Sequence, residues 1–193
     1  MKDLISIHDL STDEVHGLVH LGLRIKKDPG EFRTALSGQT LGMIFEKSST
    51  RTRVSFEVGM YQLGGTALFL SARDIQLHRG EPISDTAQVL SRYLDGIMAR
   101  TFSHQAVIDL ARFGSIPVIN GLTDLLHPCQ ALADLMTIRE HFGETAGKKL
   151  AYIGDGNNMA HSLMLAAPKA GMDFAYAAPK GYEVEREIWN QAL

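Results

Sequence analysis

Short apolar runs alternate with longer segments of helical periodicity along almost the whole chain, and few folds accept that order. Runs at residues 40–45, 66–70, 96–99, 116–119, 149–153 and 174–177 read as strands. Helices are expected at 52–63, 84–93, 104–113, 130–142 and 158–170, with a first helix reaching about Lys27 and a last one over 183–193. The punctuation agrees. Ser11-Thr12-Asp13-Glu14 has the layout of a capping box, and Asp28-Pro29-Gly30 stops the helix it opens. Ser84 is expected to cap its helix, and Gly64-Gly65, Gly114 and Gly143 to close others. Strand–helix–strand repeated in this way, with continuous apolar strands, predicts an α/β fold: a parallel sheet with helices on both faces. Residues 143–148 form the best boundary. They leave four strands before and two after, so domains are expected over 1–143 and 144–193, the second an incomplete Rossmann-like α/β unit.

Composition narrows the function classes. Hydrophobic residues make up 45% of the 193, enough for a core and too many for a disordered chain. Lys+Arg total 19 against 22 Asp+Glu, a net charge of −3, so no general nucleic-acid or anionic-membrane surface is expected. Any anion site must be a local concentration of donors. Cys129 is the single cysteine, which excludes an intrachain disulfide and fits a reducing compartment. No apolar run approaches about 18 residues, and the first residues lack a signal-peptide layout, so a cytoplasmic, soluble protein is expected.

Ligands in such sheets bind at the carboxyl ends of strands, where the next helix begins. At one such place stands Phe45-Glu46-Lys47-Ser48-Ser49-Thr50-Arg51-Thr52-Arg53. The first backbone N–H groups of a helix lack helical partners and its dipole favours a negative group, so this is a ready phosphate cradle. Ser49, Thr50 and Thr52 offer hydroxyls, and Arg51 a planar fork for two oxygens. Two arginines at a helix start oppose the dipole by about 0.3–1 kcal/mol each unless an anion offsets them. Arg100 ends another apolar strand. His127, Pro128 and Gln130 form a turn into a helix, with Pro128 near its first position. A histidine and an amide there can polarise a carbonyl and hold an NH2 group, although a structural histidine is the commoner case. A lone thiol such as Cys129 is more often inert than nucleophilic. Gly154-Asp155-Gly156-Asn157-Asn158 is half of a dinucleotide loop, with Met159 where a third glycine would stand, and is a weak signal for a nicotinamide cofactor. Its two asparagines either cap the next helix or leave one for a polar substrate. His16 and His20 have helical zinc-site spacing but no third ligand, so no metal is expected. The polar stretch 71–83, containing Gln76, has the character of a loop over a site.

Taken together, these segments resemble the aspartate/ornithine carbamoyltransferase family. Ser49-Thr50-Arg51-Thr52-Arg53 matches its phosphate-binding signature, and Arg100 in Ala-Arg-Thr-Phe and His127-Pro128-Cys129-Gln130 match its second and third carbamoyl-phosphate motifs, in the right order. Phe45-Glu46-Lys47, Cys129 and Gly154-Asp155-Gly156-Asn157-Asn158 look like the ornithine branch. The resemblance covers essentially all 193 residues. Family members run to roughly 300 residues, a typical two-domain length; this chain lacks their later Asp…Ser-Met-Gly and His-Cys-Leu-Pro segments and their last helix.

The resemblance implies a carbamoyltransferase of arginine biosynthesis, moving the carbamoyl group of carbamoyl phosphate to L-ornithine to give citrulline and phosphate. Carbamoyl phosphate would be bound by Ser49, Thr50, Arg51, Thr52, Gln76, Arg100, His127, Pro128, Cys129 and Gln130. The catalytic set would be Arg51, Arg100, His127 and Gln130, and Asn158 would bind ornithine. The first domain would hold carbamoyl phosphate and the second, partial one the amino acid. No cofactor or metal is implied, and a homo-oligomer, a trimer or a multiple of it, is. Little turnover is expected of these 193 residues alone. Alternatives are a carbamoyltransferase for putrescine or N-acetylornithine, a non-catalytic phosphate-ligand-binding module, or, on Gly154-Asp155-Gly156 alone, a nicotinamide-dependent oxidoreductase.

Overall fold

A computed structural model describes residues 2–75 and 80–193. Its residues divide into two compact units, one of residues 2–5 and 25–123, the other of residues 6–24 and 124–193.

The first unit carries four parallel strands, β1 Thr40–Phe45, β2 Thr66–Ser71, β3 Gly96–Arg100 and β4 Val118–Leu122, in the order β2-β1-β3-β4. The central pair is the most apolar because both of its faces are covered. Side chains alternate across it. Leu41, Met43, Phe45 and Met98 pack with Met60 of α2 (Thr50–Gln62) on one face. Ile44, Ile97 and Ala99 pack on the other with Ala87 of α3 (Ile83–Leu90) and Val107 and Leu110 of α4 (His104–Phe113). Met43, Ile44, Ile97 and Met98 are fully buried, each burial contributing about 1.5–3 kcal/mol. Gly42 in β1 leaves room for this packing: a Cβ there would overlap Leu94 Cδ1 and meet Leu70 Cδ1 at 3.4 Å. Residues 3–5 lie along the outer edge of β4. Leu4 N–H donates to Val118 O (2.9 Å), Asn120 N–H to Leu4 O (2.8 Å), and Val118 N–H to Asp3 Oδ1 (2.9 Å).

The second unit carries a two-stranded parallel sheet, β5 Lys149–Ile153 and β6 Asp173–Ala177, with α5 (Pro128–Phe142), α6 (Asn158–Lys169) and α7 (Arg186–Ala192). Most of α1 (Thr12–Lys27) also belongs to it. α6 is its core helix, buried from Ala160 to Ala167. Lys169 Nζ donates to His8 O (2.8 Å) and Leu10 O. The capping box at α1 is present: Ser11 N–H donates to Glu14 Oε2 (2.8 Å) and Glu14 N–H to Ser11 Oγ (3.1 Å). Those bonds hold the Glu14 carboxyl below its ordinary range.

Several expected details change. The N-cap of α3 is Pro82, without a side-chain cap; Ser84 donates to Asp85 Oδ1 instead (3.0 Å), and the helix ends at Leu90. β4 starts two residues late, since Pro117 has no N–H to give a ladder. β5 and β6 are not continuously buried: residues 149, 151 and 153 face outward, as do 173, 175 and 177. Among the described residues no helix is long and apolar enough to cross a membrane.

Candidate active site

In the order β2-β1-β3-β4, the chain leaves β1 toward one edge and β3 toward the other. The carboxyl ends of β1 and β3 therefore flank a topological switch point, where such sheets open a crevice. The loops leaving those strands are tied together: Phe102 N–H donates to Glu46 Oε2 (2.9 Å), and Lys47 Nζ lies 4.5 Å above the Phe102 ring. Ser49, in extended backbone, caps α2 by accepting from Thr52 N–H (3.3 Å). The Ser49 hydroxyl also donates to Thr52 Oγ1 (3.0 Å), which accepts from Arg100 Nη1 (3.4 Å). Ser49, Thr52 and Arg100 thus form one chain of hydrogen bonds across the switch point.

Arg100 is in an awkward place for an arginine. Its Nε is buried with no hydrogen-bond partner among the described residues, an arrangement costing about 1–3 kcal/mol. Burial pushes its pKa below the ordinary value, and the charge of Arg51 pushes it further. Two guanidinium groups and the positive end of α2 therefore converge, which an arriving anion would relieve. Thr50 and Arg51 are exposed at the helix start. Arg53 is not part of this set, contrary to the expectation of two arginines facing one anion. Its Nε binds Glu57 Oε1 (3.0 Å), one helical turn on, and its guanidinium lies 3.9 Å from the Phe69 ring centre. Gln76 lies outside the described residues.

The other expected residues belong to the second unit. His127 is the N-cap of α5, with Pro128 at its first position. Burial pushes the Cys129 thiol up to about 12, so it is no nucleophile. Gln130 Nε2 donates to Asp134 Oδ1 (2.9 Å). A carboxylate only accepts, so the amide NH2 faces Asp134 and Oε1 turns away, the orientation needed to accept from an NH2 group. Burial raises the Asp134 pKa, and the Gln130 bond opposes the rise. Asn157 is the cap of α6: its Oδ1 accepts from Met159 N–H (2.9 Å) and Ala160 N–H (3.2 Å). Asn158, half-buried, is the first helical residue. Gly156 N–H donates to Tyr182 O (2.7 Å), and a Cβ there would overlap Glu183 O and Val184 N. That glycine admits a crossing backbone where a dinucleotide loop would admit a pyrophosphate.

Sequence spacing did not point to Asp134, His161 or Ser162. Asp134 was accessible in principle, as a carboxylate four residues after Gln130 on one helix. Ser162 joins two of the expected residues: its hydroxyl accepts from His127 N–H (2.7 Å) and donates to Asn158 O (2.7 Å). Partners 35 residues apart leave no trace in local pattern.

Known proteins resemble this chain over nearly its whole length. The chain matches the carbamoyl-P binding domain of the aspartate/ornithine carbamoyltransferases over residues 2–140 and their Asp/Orn binding domain over residues 146–193. It is 61% identical over 193 residues to an ornithine carbamoyltransferase of Anoxybacillus flavithermus, covering 99% of this chain and 62% of that protein. It is 55% identical over 192 residues to one of Methanobrevibacter smithii, covering 100% of this chain and 63% of the relative. The structure superimposes on ornithine carbamoyltransferase from Pyrococcus furiosus with a TM-score of 0.94 at 52% identity, over 99% of this chain and 62% of that one. The chain thus spans somewhat over three fifths of the length of these proteins. With two regions that match in order and together cover residues 2–140 and 146–193, the chain belongs to the aspartate/ornithine carbamoyltransferase family.

Proposed function

We propose that the protein carrying this chain is an ornithine carbamoyltransferase. The side-chain amine of L-ornithine attacks the carbamoyl carbon of carbamoyl phosphate, the bond from that carbon to the phosphate oxygen breaks, and the amine loses a proton, leaving citrulline and phosphate. The observation that carries this reading is the cationic cluster at the switch point: Arg100 partly desolvated, repelled by Arg51 and bonded to Thr52. A phosphate dianion relieves the desolvation and the repulsion together.

Ser49, the first N–H groups of α2 and the Arg51 guanidinium take the phosphate. Arg100 and His127, with the Thr52 hydroxyl, stabilise charge on the carbonyl oxygen, and Gln130 accepts from the carbamoyl NH2. Thr50, Gln76, Pro128 and Cys129 complete the carbamoyl phosphate set, and Asn158 contributes to the amino acid. Residues 1–143 form the carbamoyl phosphate domain and residues 144–193 part of the amino-acid domain. The enzyme works in arginine biosynthesis, in the cytoplasm, as a trimer or a multiple of it. The relatives named as ornithine carbamoyltransferases support the choice of acceptor.

The test is calorimetric titration of the whole protein with carbamoyl phosphate, wild type against Arg51→Ala. Loss of measurable binding with an unchanged circular dichroism spectrum is expected. Unchanged affinity removes the assignment of the phosphate.

A further inference from the structure

His161 and Ser162 stand side by side on α6 and are 2% and 1% exposed. Burying a ring nitrogen or a hydroxyl is unfavourable unless it is bonded, and here every bond has a definite end. The His161 Nδ1 lies 3.0 Å from Leu125 O, and its Nε2 accepts from Glu185 N–H at 3.1 Å. A carbonyl accepts and an N–H donates, so the ring carries its proton on Nδ1. Ser162 accepts from His127 N–H and donates to Asn158 O. Two adjacent side chains therefore grip the main chain of residues 125 and 127, on either side of Leu126, immediately before α5. The His127 turn has no side-chain cap of its own.

We propose that His161 and Ser162 are positioning residues that hold the His127 turn in the pose that meets the carbamoyl group. The proposal rests on the function proposed above, in which His127 serves the carbonyl oxygen. Ser162 fixes the His127 backbone directly. The Nδ1 side of His161 fixes Leu125, and its Nε2 side holds Glu185, beyond the backbone that crosses Gly156. The two ring nitrogens thus have separable duties, and only the first bears on carbamoyl recognition.

The readout is the ratio of dissociation constants for inorganic phosphate and carbamoyl phosphate, measured by calorimetry on the whole protein. The ratio isolates recognition of the carbamoyl group from recognition of the phosphate. Ser162→Ala should lower it about 3- to 10-fold, the value of one hydrogen bond, while phosphate affinity stays within about two-fold. His161→Asn keeps a donor for Leu125 and should retain most of the ratio. His161→Gln offers an acceptor for Glu185 but no donor for Leu125, and should lower the ratio as Ser162→Ala does. If Ser162→Ala does not fold, the two His161 variants decide alone. A ratio unchanged in the folded variants, a parallel loss of both affinities, or equal behaviour of Asn and Gln at position 161 overturns the proposal. A wild-type ratio of one overturns the functional reading itself, and is seen before any variant is made.

Discussion

Replacing Arg100 with methionine should separate binding from stability. Methionine keeps an unbranched apolar stem that ends about where Nε stood and removes the guanidinium. Among the described residues that guanidinium makes one long hydrogen bond, 3.4 Å to Thr52 Oγ1, contributing about 0.5 kcal/mol. Against this stand a buried Nε without a partner among the described residues and the repulsion of Arg51. The unsatisfied donor alone costs about 1–3 kcal/mol. Arg100→Met should therefore leave stability unchanged or raise it by about 1 kcal/mol, which for a chain of this size is about 2–4 °C in Tm. The same change removes a charge-assisted bond to the ligand, about 1.5–3 kcal/mol, and so weakens carbamoyl phosphate binding about 10- to 150-fold. Loss of an oxyanion donor should lower kcat by about 10²–10³. Thermal melts without ligand, calorimetry with carbamoyl phosphate and citrulline formation by the whole protein supply the three readouts. A loss of more than about 2 kcal/mol in stability, with affinity retained, would show that Arg100 is a structural ion and that the pocket reasoning is wrong.

Two further outcomes follow from packing and ionisation. Gly42→Ala drives a methyl into Leu94 and should cost about 1–3 kcal/mol in urea denaturation, with recovery in Gly42→Ala/Leu94→Val; the absence of recovery would mean that the clash is not the cause. Asp134→Asn tests the raised carboxyl pKa. A folded-state value above the unfolded one favours folding only while the group is protonated, and that contribution is lost as pH rises through the folded value. The asparagine variant should thus gain stability over wild type at pH 7 and show no gain below about pH 3. Its freed amide partner should also let Gln130 turn over, raising the KM for carbamoyl phosphate; a gain that is independent of pH would contradict the ionisation argument.

Local chemistry was legible from residues alone. The capping box at Ser11, Pro128 at the start of α5 and the bounds of β1, α4 and β5 all follow from short-range rules. The same rules led to the anion site proposed at residues 49–52, because orphan N–H groups and hydroxyls are consecutive there. Long-range pairing was not. Arg53 resembles Arg51 in the sequence, yet Glu57 and Phe69 claim it. Ser84 looked like a cap, but Pro82 already sets the backbone that opens α3. The loop at Gly156 suggested a cofactor because nothing in it announces that residues 182–184 pass through the same space.

The short stretch of residues 3–5 along β4 has a practical meaning. Open β-edges invite other chains to add themselves, and this one is blunted by the chain's own residues 3–5, with Asp3 taking the Val118 N–H that a foreign strand would seek. Deleting those few residues would uncover a ready template for intermolecular pairing, so this selvedge keeps the sheet from fraying into its neighbours.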